Sequence, residues 1–443
     1  MTPTHAQPPL WQQLQATAQV IQAVRQGASG GTAVEAVAAA LRPGVQALAF
    51  HVWRNLGRAE ALRQHLVQRR PPAATDALLC CTLALAWNPE TAPYDAFTLV
   101  NQSVEAAKRQ AATRAQAAFI NACLRRFLRT QAALVQATES DLQARWNHPL
   151  WWIQRLQQDH PDNWQSLLQT ANGQPPMTLR TNALQGTVAD YLQELASCGI
   201  AAQAVGDSGI QLQRAVPVGQ LPGFATGRVS VQDAAAQLAA PLLLAGLPNP
   251  GSLRVLDACA APGGKTGHLL EQGVGHVTAL DVDAKRCERI RQNLLRLRLH
   301  LSADVRSADA AQPQTWWDGR AFDAILLDAP CTASGIVRRH PDIRWLRRPC
   351  DIAQLATIQQ HLLAALWPLL GTGGRLLYCT CSVFLAEGTA QVQTFLAHNT
   401  DAVLLPSPDH LIPASVGKAE GLPDNRVADH DGFFYALLQK RSQ

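Results

Sequence analysis

The spacing of apolar positions changes twice along this chain. From about residue 10 to residue 128, Ala, Leu, Gln and Arg dominate. Apolar residues there recur three and four apart, as in Ala77-Leu78-Leu79 followed by Leu83 and Ala84-Leu85-Ala86. That period lines one face of a helix. Breaks at 27–31, at Pro71-Pro72 and at Asn88-Pro89 divide the stretch into several helices, which predicts an all-helical bundle. Its last helix carries Arg125, Arg126 and Arg129, a local basic patch. In the helical connector that follows, Trp151 and Trp152 are expected to supply buried packing between domains rather than base stacking.

Beyond Pro175 the pattern shortens. Residues 177–182 and 210–212 suggest strands and 188–198 a helix. Residues 227–233 suggest a turn, a strand and a helix start with Asp233 as a possible N-cap. Beyond Gly251, apolar runs at 253–256, 276–280, 322–327, 375–378 and 432–438 alternate with amphipathic stretches such as 284–299 and 352–370. Short buried strands separated by helices predict a mostly parallel sheet covered on both faces. Residues 407–425 suggest a long loop. The expected order is therefore a helical domain (1–140), a small α+β connector (141–235) and an α/β domain (236–443), a size consistent with two or three domains.

Composition narrows the class. Hydrophobic residues make up 47% and charged residues 16%, the balance of a globular chain. The formal net charge of +5 is a mild basic bias that fits a nucleic-acid partner without requiring one. The ten cysteines form no C-x-x-C pair and no regular framework, so neither zinc nor a disulfide scaffold is expected. The N-terminal residues do not read as a leader, and no apolar run reaches membrane-spanning length. A cytoplasmic protein with no membrane association and no obligate protein partner is the expectation.

The first apolar strand of the α/β domain runs directly into Asp257-Ala258-Cys259-Ala260-Ala261-Pro262-Gly263-Gly264-Lys265-Thr266. Ligands of doubly wound sheets sit at the carboxyl ends of strands, and small residues let backbone approach them. The next strand ends at Asp281, about 24 residues further on, where an acid commonly takes ribose hydroxyls. A P-loop would need glycine where Cys259 stands, and no G-x-G-x-x-G is present. Asp257 suits a cofactor with a positive sulfonium and amine better than one with a pyrophosphate. The alternative is an ordinary strand-to-helix turn, which the whole decapeptide together with Asp281 disfavours. Asp309 follows a further strand and could meet the adenine or its ribose, with Asp304 as a competitor.

Two later strands end in Asp328-Ala329-Pro330-Cys331 and Tyr378-Cys379-Thr380-Cys381-Ser382. If these strands are neighbours, both ends face one crevice, and a cysteine at each mouth beside a carboxylate suggests a covalent site. A lone cysteine is more often a small buried apolar residue. That reading serves Cys80, Cys81, Cys123, Cys198, Cys287, Cys350 and Cys379, and a packing role in its loop is the alternative for Cys259.

These stretches resemble the RNA cytosine-C5 methyltransferases of the NOL1/NOP2/Sun family. The similarity spans about residues 145–440 and includes Arg180-Thr181-Asn182, Val231-Gln232-Asp233 and Asp431-Gly432-Phe433-Phe434. The resemblance implies a Rossmann-like fold, S-adenosyl-L-methionine as cofactor and RNA as substrate. It implies Cys381 as nucleophile, Cys331 in product release, and Asp328 near both cofactor and target base. It also implies cofactor contacts from Cys259, Ala260, Ala261, Pro262, Gly263, Gly264, Lys265, Asp281, Asp309 and Asp328. The helical N-terminal domain resembles NusB, a pairing that points within the family towards 16S rRNA. A tRNA substrate and a non-catalytic RNA-binding factor are the alternatives, and two active-site cysteines argue against the second. The roles of the cysteines could also be exchanged, as in enzymes that attack DNA cytosine from a Pro-Cys motif. One departure stands out: where the family carries Pro-Glu-Glu-Asn, this chain has Leu385-Ala386-Glu387-Gly388, with a single acid.

The reaction so implied explains the residue types. C5 of cytosine is a weak nucleophile, and adding a thiolate at C6 makes it an enamine able to accept a methyl group. An acid near N3 disperses the charge that develops. Residues 336–348, reading IVRRHPDIRWLRR, begin five residues past Cys331. Arg338, Arg339, Arg344 and Arg347 there join Arg125 and Arg126 as expected RNA contacts; the alternative is a solvated basic face.

Overall fold

The computed structural model describes residues 8–413 and 429–441. It divides into two units, one of Met1–Gly173 with Val337–Arg348, the other of Gln174–Ile336 with Pro349–Gln443.

In the first unit the helical period resolves into helices that include Leu10–Arg25, Arg42–Leu66, Ala73–Ala86, Ala96–Arg109 and Ala117–Arg129. Their apolar stripes meet in one core containing Leu14, Ile21, Trp53, Leu79, Leu99 and Phe127. Local caps set several boundaries. Ser29 accepts from the Thr32 N–H and Asp95 from the Thr98 N–H, satisfying amides that have no partner inside a helix. On Ala117–Arg129 the residues Cys123, Leu124 and Phe127 are buried, while Arg125, Arg126 and Arg129 are exposed. Trp152 is buried and its ring centroid lies 5.3 Å from that of Trp151.

Residues 337–348 belong to this helical unit, and the burial of Arg338 and Arg344 corrects the expectation that these two contact RNA. The Gly30 N–H donates to Asp342 Oδ2 (2.8 Å), Arg54 Nη2 to the Arg338 carbonyl (2.7 Å) and Trp345 Nε1 to the Trp53 carbonyl (2.8 Å). Arg344 is fully buried, with its guanidinium donating to the carbonyls of Asn147 (3.1 Å) and Ala171 (2.7 Å) and to the Asn172 side chain. Arg338 is also buried. Guanidiniums enclosed in this way cannot reach a phosphate. Arg339 and Arg347 are half-buried.

The second unit holds two sheets. The smaller comprises β1 (Met177–Thr181), β2 (Ala202–Val205), β3 (Gly209–Leu212) and β4 (Val229–Val231), antiparallel in the order β2-β3-β1-β4. The helix Val188–Ser197, started by a capping box between Thr187 and Asp190, packs Tyr191 and Leu195 against Leu179, Ile210 and Val229. Asp233 accepts from the Ala235 N–H, as an N-terminal cap does, and also from the Asp431 N–H.

The larger sheet comprises β5 (Arg254–Asp257), β6 (His276–Asp281), β7 (Ala303–Ser307), β8 (Phe322–Asp328), β9 (Leu370–Thr380), β10 (Ala402–Leu411) and β11 (Phe433–Lys440). Its order is β10-β11-β9-β8-β5-β6-β7. Pairing is parallel from β7 through β9, and β11 and β10 add antiparallel edges. Alternation along β9 sends Leu377 and Cys379 into a core with Leu269, Ile290 and Leu294. Leu376 and Tyr378 enter a second core with Leu362, Leu366 and Phe395 on the opposite face. This is the Rossmann-like sheet expected, covered on both sides. The expected loop at 407–425 is corrected in its first part, because β10 runs to Leu411; residues 414–425 lie outside the described residues. Among the described residues no helix is long and apolar enough to cross a membrane.

Candidate active site

The chain runs outward from β5 through β6 to β7, then returns to place β8 on the other side of β5. Strand order reverses there, and a crevice opens beyond the carboxyl ends. A cleft of about 690 Å³ occupies it, walled by Cys259, Ala261 and Pro262 after β5, and by Asp281 and Val282 after β6. Ala308–Ala311, Asp328 to Cys331 and Cys381 complete the wall from the ends of β7, β8 and β9.

The loop after β5 turns into the helix Gly264–Glu271 at Gly263, whose φ of +93° is a conformation that side chains disfavour. A Cβ there would also crowd Ile290 at 3.1 Å. Of the loop residues expected to hold a cofactor, Cys259, Ala261 and Pro262 line the cleft, whereas Ala260, Gly263, Gly264 and Lys265 do not. Asp257 is likewise absent from the lining. Its carboxylate is fully buried behind the loop and accepts from Thr266 Oγ1 at 2.6 Å. Burial pushes its pKa up to about 7, against the opposing pull of that bond. The expectation that Asp257 meets the cofactor's positive charge is therefore corrected.

Asp281 is buried at the cleft wall. Its oxygens accept from the backbone N–H groups of Asp283 (3.1 Å) and Ala261 (3.3 Å), and Arg286 lies 3.4 Å away. The exposed Val282 adds an apolar wall beside it. Asp309 lines the cleft and accepts from the Ala311 N–H at 2.9 Å. Asp304 is not in the lining and instead pairs with Arg306 at 2.5 Å.

At the other end stand the two cysteines. β8 and β9 are parallel neighbours, with Asp328 opposite Cys379 in register, so the residues that follow each strand emerge together. Cys331 Sγ and Cys381 Sγ are 3.4 Å apart. The hydrogen bond with Cys381, and then burial, push the Cys331 thiol well above its usual range. Asp328, on the cleft wall, pairs with Lys265 Nζ at 2.5 Å. Burial, the largest single effect, would lower the pKa of Lys265, but the charge and hydrogen bond of Asp328, with smaller contributions from Cys379 and Cys381, together outweigh it and the ammonium is held charged. Cys379 is buried in the core, with its thiol against Asp328 at 3.6 Å.

Two contributions escaped sequence reasoning. Ile358 and His361 of the helix Pro349–Leu366 line the cleft; a helix face opposite a strand end leaves no local signal. Glu387, the surviving acid of the altered stretch, lies fully buried beneath both cysteine loops.

Comparisons with known proteins cover all three regions. The chain matches the family model described as 16S rRNA methyltransferase RsmB/F over residues 245–439. It matches the ferredoxin-like domain of RsmF/B-like methyltransferases over 148–219 and the NusB family over 12–129. It is 40% identical over 434 residues to ribosomal RNA small subunit methyltransferase B of Vibrio cholerae, covering 96% of each chain. The protein of that name from Pseudomonas putida is 46% identical over 326 residues, 72% of this chain and 73% of the relative. Among solved structures, PH0851 superposes with a TM-score of 0.75 over 96% of this chain and 99% of its own, at 23% identity, a likeness of fold alone. A methyltransferase homolog from Pyrococcus horikoshii superposes at 0.56 with 28% identity, covering 67% of this chain and 97% of that one. With a NusB-like helical domain, a ferredoxin-like connector and a Rossmann-like domain in this order, and with identity sustained across nearly the whole length of a relative, the chain belongs to the 16S rRNA methyltransferase RsmB/F family.

Proposed function

We propose that this protein methylates carbon 5 of a cytosine in 16S rRNA, with S-adenosyl-L-methionine as methyl donor and Cys381 as covalent nucleophile. The observation that carries the reading is the pair of sulfurs 3.4 Å apart at the mouth of a cleft lined by carboxylates.

The cleft suits the cofactor. Ala258, Ala261 and Ala308 keep its walls thin enough for a nucleoside, and Asp281 and Asp309 offer acceptors for hydroxyl and amino groups. When bound, S-adenosyl-L-methionine supplies an electrophilic methyl group. Cys259, Ala261 and Pro262 border it, and Lys265 acts indirectly by fixing Asp328. Asp328 receives the cytosine edge, where protonation at N3 spreads the charge that develops. Cys381 forms the bond to C6, and the proton its thiol gives up is balanced by the one taken up at N3. Cys331, whose proton is held tightly, leaves its neighbour to act as the nucleophile. Release requires the C5 proton to leave and the C6–sulfur bond to break; Cys331 serves that step by passing its own proton to the departing Cys381 sulfur, 3.4 Å away, and taking up the C5 proton in exchange. Both ring faces must be reached, so the base is flipped from its stack.

Arg125, Arg126 and Arg129, exposed on one helix, are the proposed phosphate contacts. The proposed functional boundaries are 1–140, 141–235 and 236–443. The test is to incubate the purified protein with cofactor and either 16S rRNA or tRNA, digest the RNA and measure 5-methylcytidine by mass spectrometry. The product in 16S rRNA is expected. Product in tRNA alone would transfer the activity to that substrate, and product in neither would overturn the reading.

A further inference from the structure

One carboxylate joins the two cysteine loops from behind. Glu387 Oε1 accepts from the Thr332 N–H at 2.8 Å and from Gln359 Nε2 at 3.3 Å. Its Oε2 meets the hydroxyls of Ser382, at 2.6 Å, and of Thr332. Thr332 directly follows Cys331 and Ser382 directly follows Cys381. The same knot is drawn tighter from its sides. Gln359 also donates to the Pro330 carbonyl (2.9 Å), Tyr378 Oη to the Glu387 carbonyl (2.8 Å) and the Gly335 N–H to the Cys381 carbonyl (2.9 Å). A carboxylate has about four lone-pair directions, and here donors reach it from both loops at once. Glu387 is fully buried and does not line the cleft, so it touches neither cofactor nor substrate.

We propose that Glu387 is a positioning residue whose buried carboxylate clamps Thr332 and Ser382 and thereby sets the separation of Cys331 and Cys381. The proposal rests on the reading above that both sulfurs act on one base. The single acid of the 385–388 stretch then has a defined role, holding two thiols in register for sequential steps. A displacement of about 1 Å at such a site costs on the order of a hundredfold in rate.

Phenylarsine oxide tests the separation directly, because it bridges two neighbouring thiols through two As–S bonds with loss of water. In the full-length wild type, peptide mapping should find Cys331 and Cys381 bridged. Glu387→Ala should bind S-adenosyl-L-methionine normally in calorimetry, lose that bridge, and turn over about a hundredfold more slowly. Glu387→Gln, which keeps an acceptor for the Thr332 N–H, should restore most of the bridging. If Glu387→Ala no longer binds the cofactor, the double variant Thr332→Val, Ser382→Ala removes the hydroxyl arms of the clamp and should lose the bridge. Bridging at the wild-type rate in whichever variant retains cofactor binding, or wild-type turnover there, would overturn the proposal. The arsenical readout needs neither RNA nor methyl transfer. Failure of the two-sulfur reaction would appear separately, as the absence of 5-methylcytidine from wild-type reactions.

Discussion

Asp281 and Asp304 lie at opposite ends of the question of which acids hold the cofactor. Asp281 lines the cleft with its oxygens braced by two backbone N–H groups, whereas Asp304 pairs with Arg306 outside it. Hydrogen bonds to charged groups contribute about 1.5–3 kcal/mol, so Asp281→Ala should weaken S-adenosyl-L-methionine binding by at least about tenfold in calorimetry. Asp304→Ala should leave it unchanged, and equal losses would refute the assignment. His148 carries a second residue-scale prediction. It is buried, and its Nδ1–H donates to the Trp146 carbonyl at 2.7 Å. Burial, and then the Arg344 charge, depress its pKa well below the usual 6.5. Below about pH 6.5 the unfolded chain binds a proton that the folded chain refuses. His148 therefore costs the helical unit stability as pH falls, up to about 1.4 kcal/mol per pH unit, and the cost vanishes at higher pH. Corrected hydrogen-exchange rates across residues 142–172 at pH 7 and pH 5 should show this loss in wild type and less of it in His148→Gln. The strand-end acids were legible because position in the pattern implies the crevice. The inward turn of Asp257 was not, since that depends on which side of the loop Thr266 stands.

At the scale of elements, the inner parallel strands β5, β6, β8 and β9 announced themselves through apolar runs, but the edge strands β7, of sequence ADVRS, and β10 did not. The latter carries Pro406 and Pro408 and a register irregularity between Leu405 and Asp409. Proline is tolerated there because β10 is an edge strand. The arginine-rich segment 337–348 was legible as basic, but the burial of Arg338 and Arg344 was not. The groups that bind Asp342, Trp345, the Arg338 carbonyl and Arg344, namely Gly30, Trp53, Arg54 and Asn172, lie far away in sequence. Two glycines where the cysteine loops meet make a further prediction. A Cβ on Gly335 would lie 2.0 Å from the Gly432 carbonyl oxygen, and the Gly432 N–H donates to the Gly335 carbonyl at 2.9 Å. Gly335→Ala must therefore part these segments, at a cost of about 1–3 kcal/mol typical of overpacking. Denaturant unfolding of the second unit, followed by hydrogen exchange at β9 and β11, should register that loss; unchanged stability would mean the segments yield freely.

Across the whole molecule, the periodicities indicated the three-part order of helical bundle, small α+β region and Rossmann-like sheet. That order holds because each part buries its own core. What periodicity cannot express is a unit made of two distant stretches, as the helical unit is. Its exposed face carries Arg125, Arg126 and Arg129, and phosphate contacts release counterions. Replacing all three with Ala should lower affinity for 16S rRNA and flatten its salt dependence by up to about three in log–log slope. Cofactor affinity should stay constant. Filter binding over a range of salt concentrations measures this, and an unchanged slope would move the RNA contacts elsewhere.

Catalysis turns on which sulfur attacks the base. Cys331→Ala and Cys381→Ala variants, each incubated with cofactor and 16S rRNA and resolved on a denaturing gel, test it most directly. With Cys381 as nucleophile, Cys331→Ala should methylate once and stall as a protein–RNA conjugate, while Cys381→Ala forms none. A conjugate in Cys381→Ala alone would exchange the two roles, and no conjugate in either variant would contradict covalent catalysis by this pair.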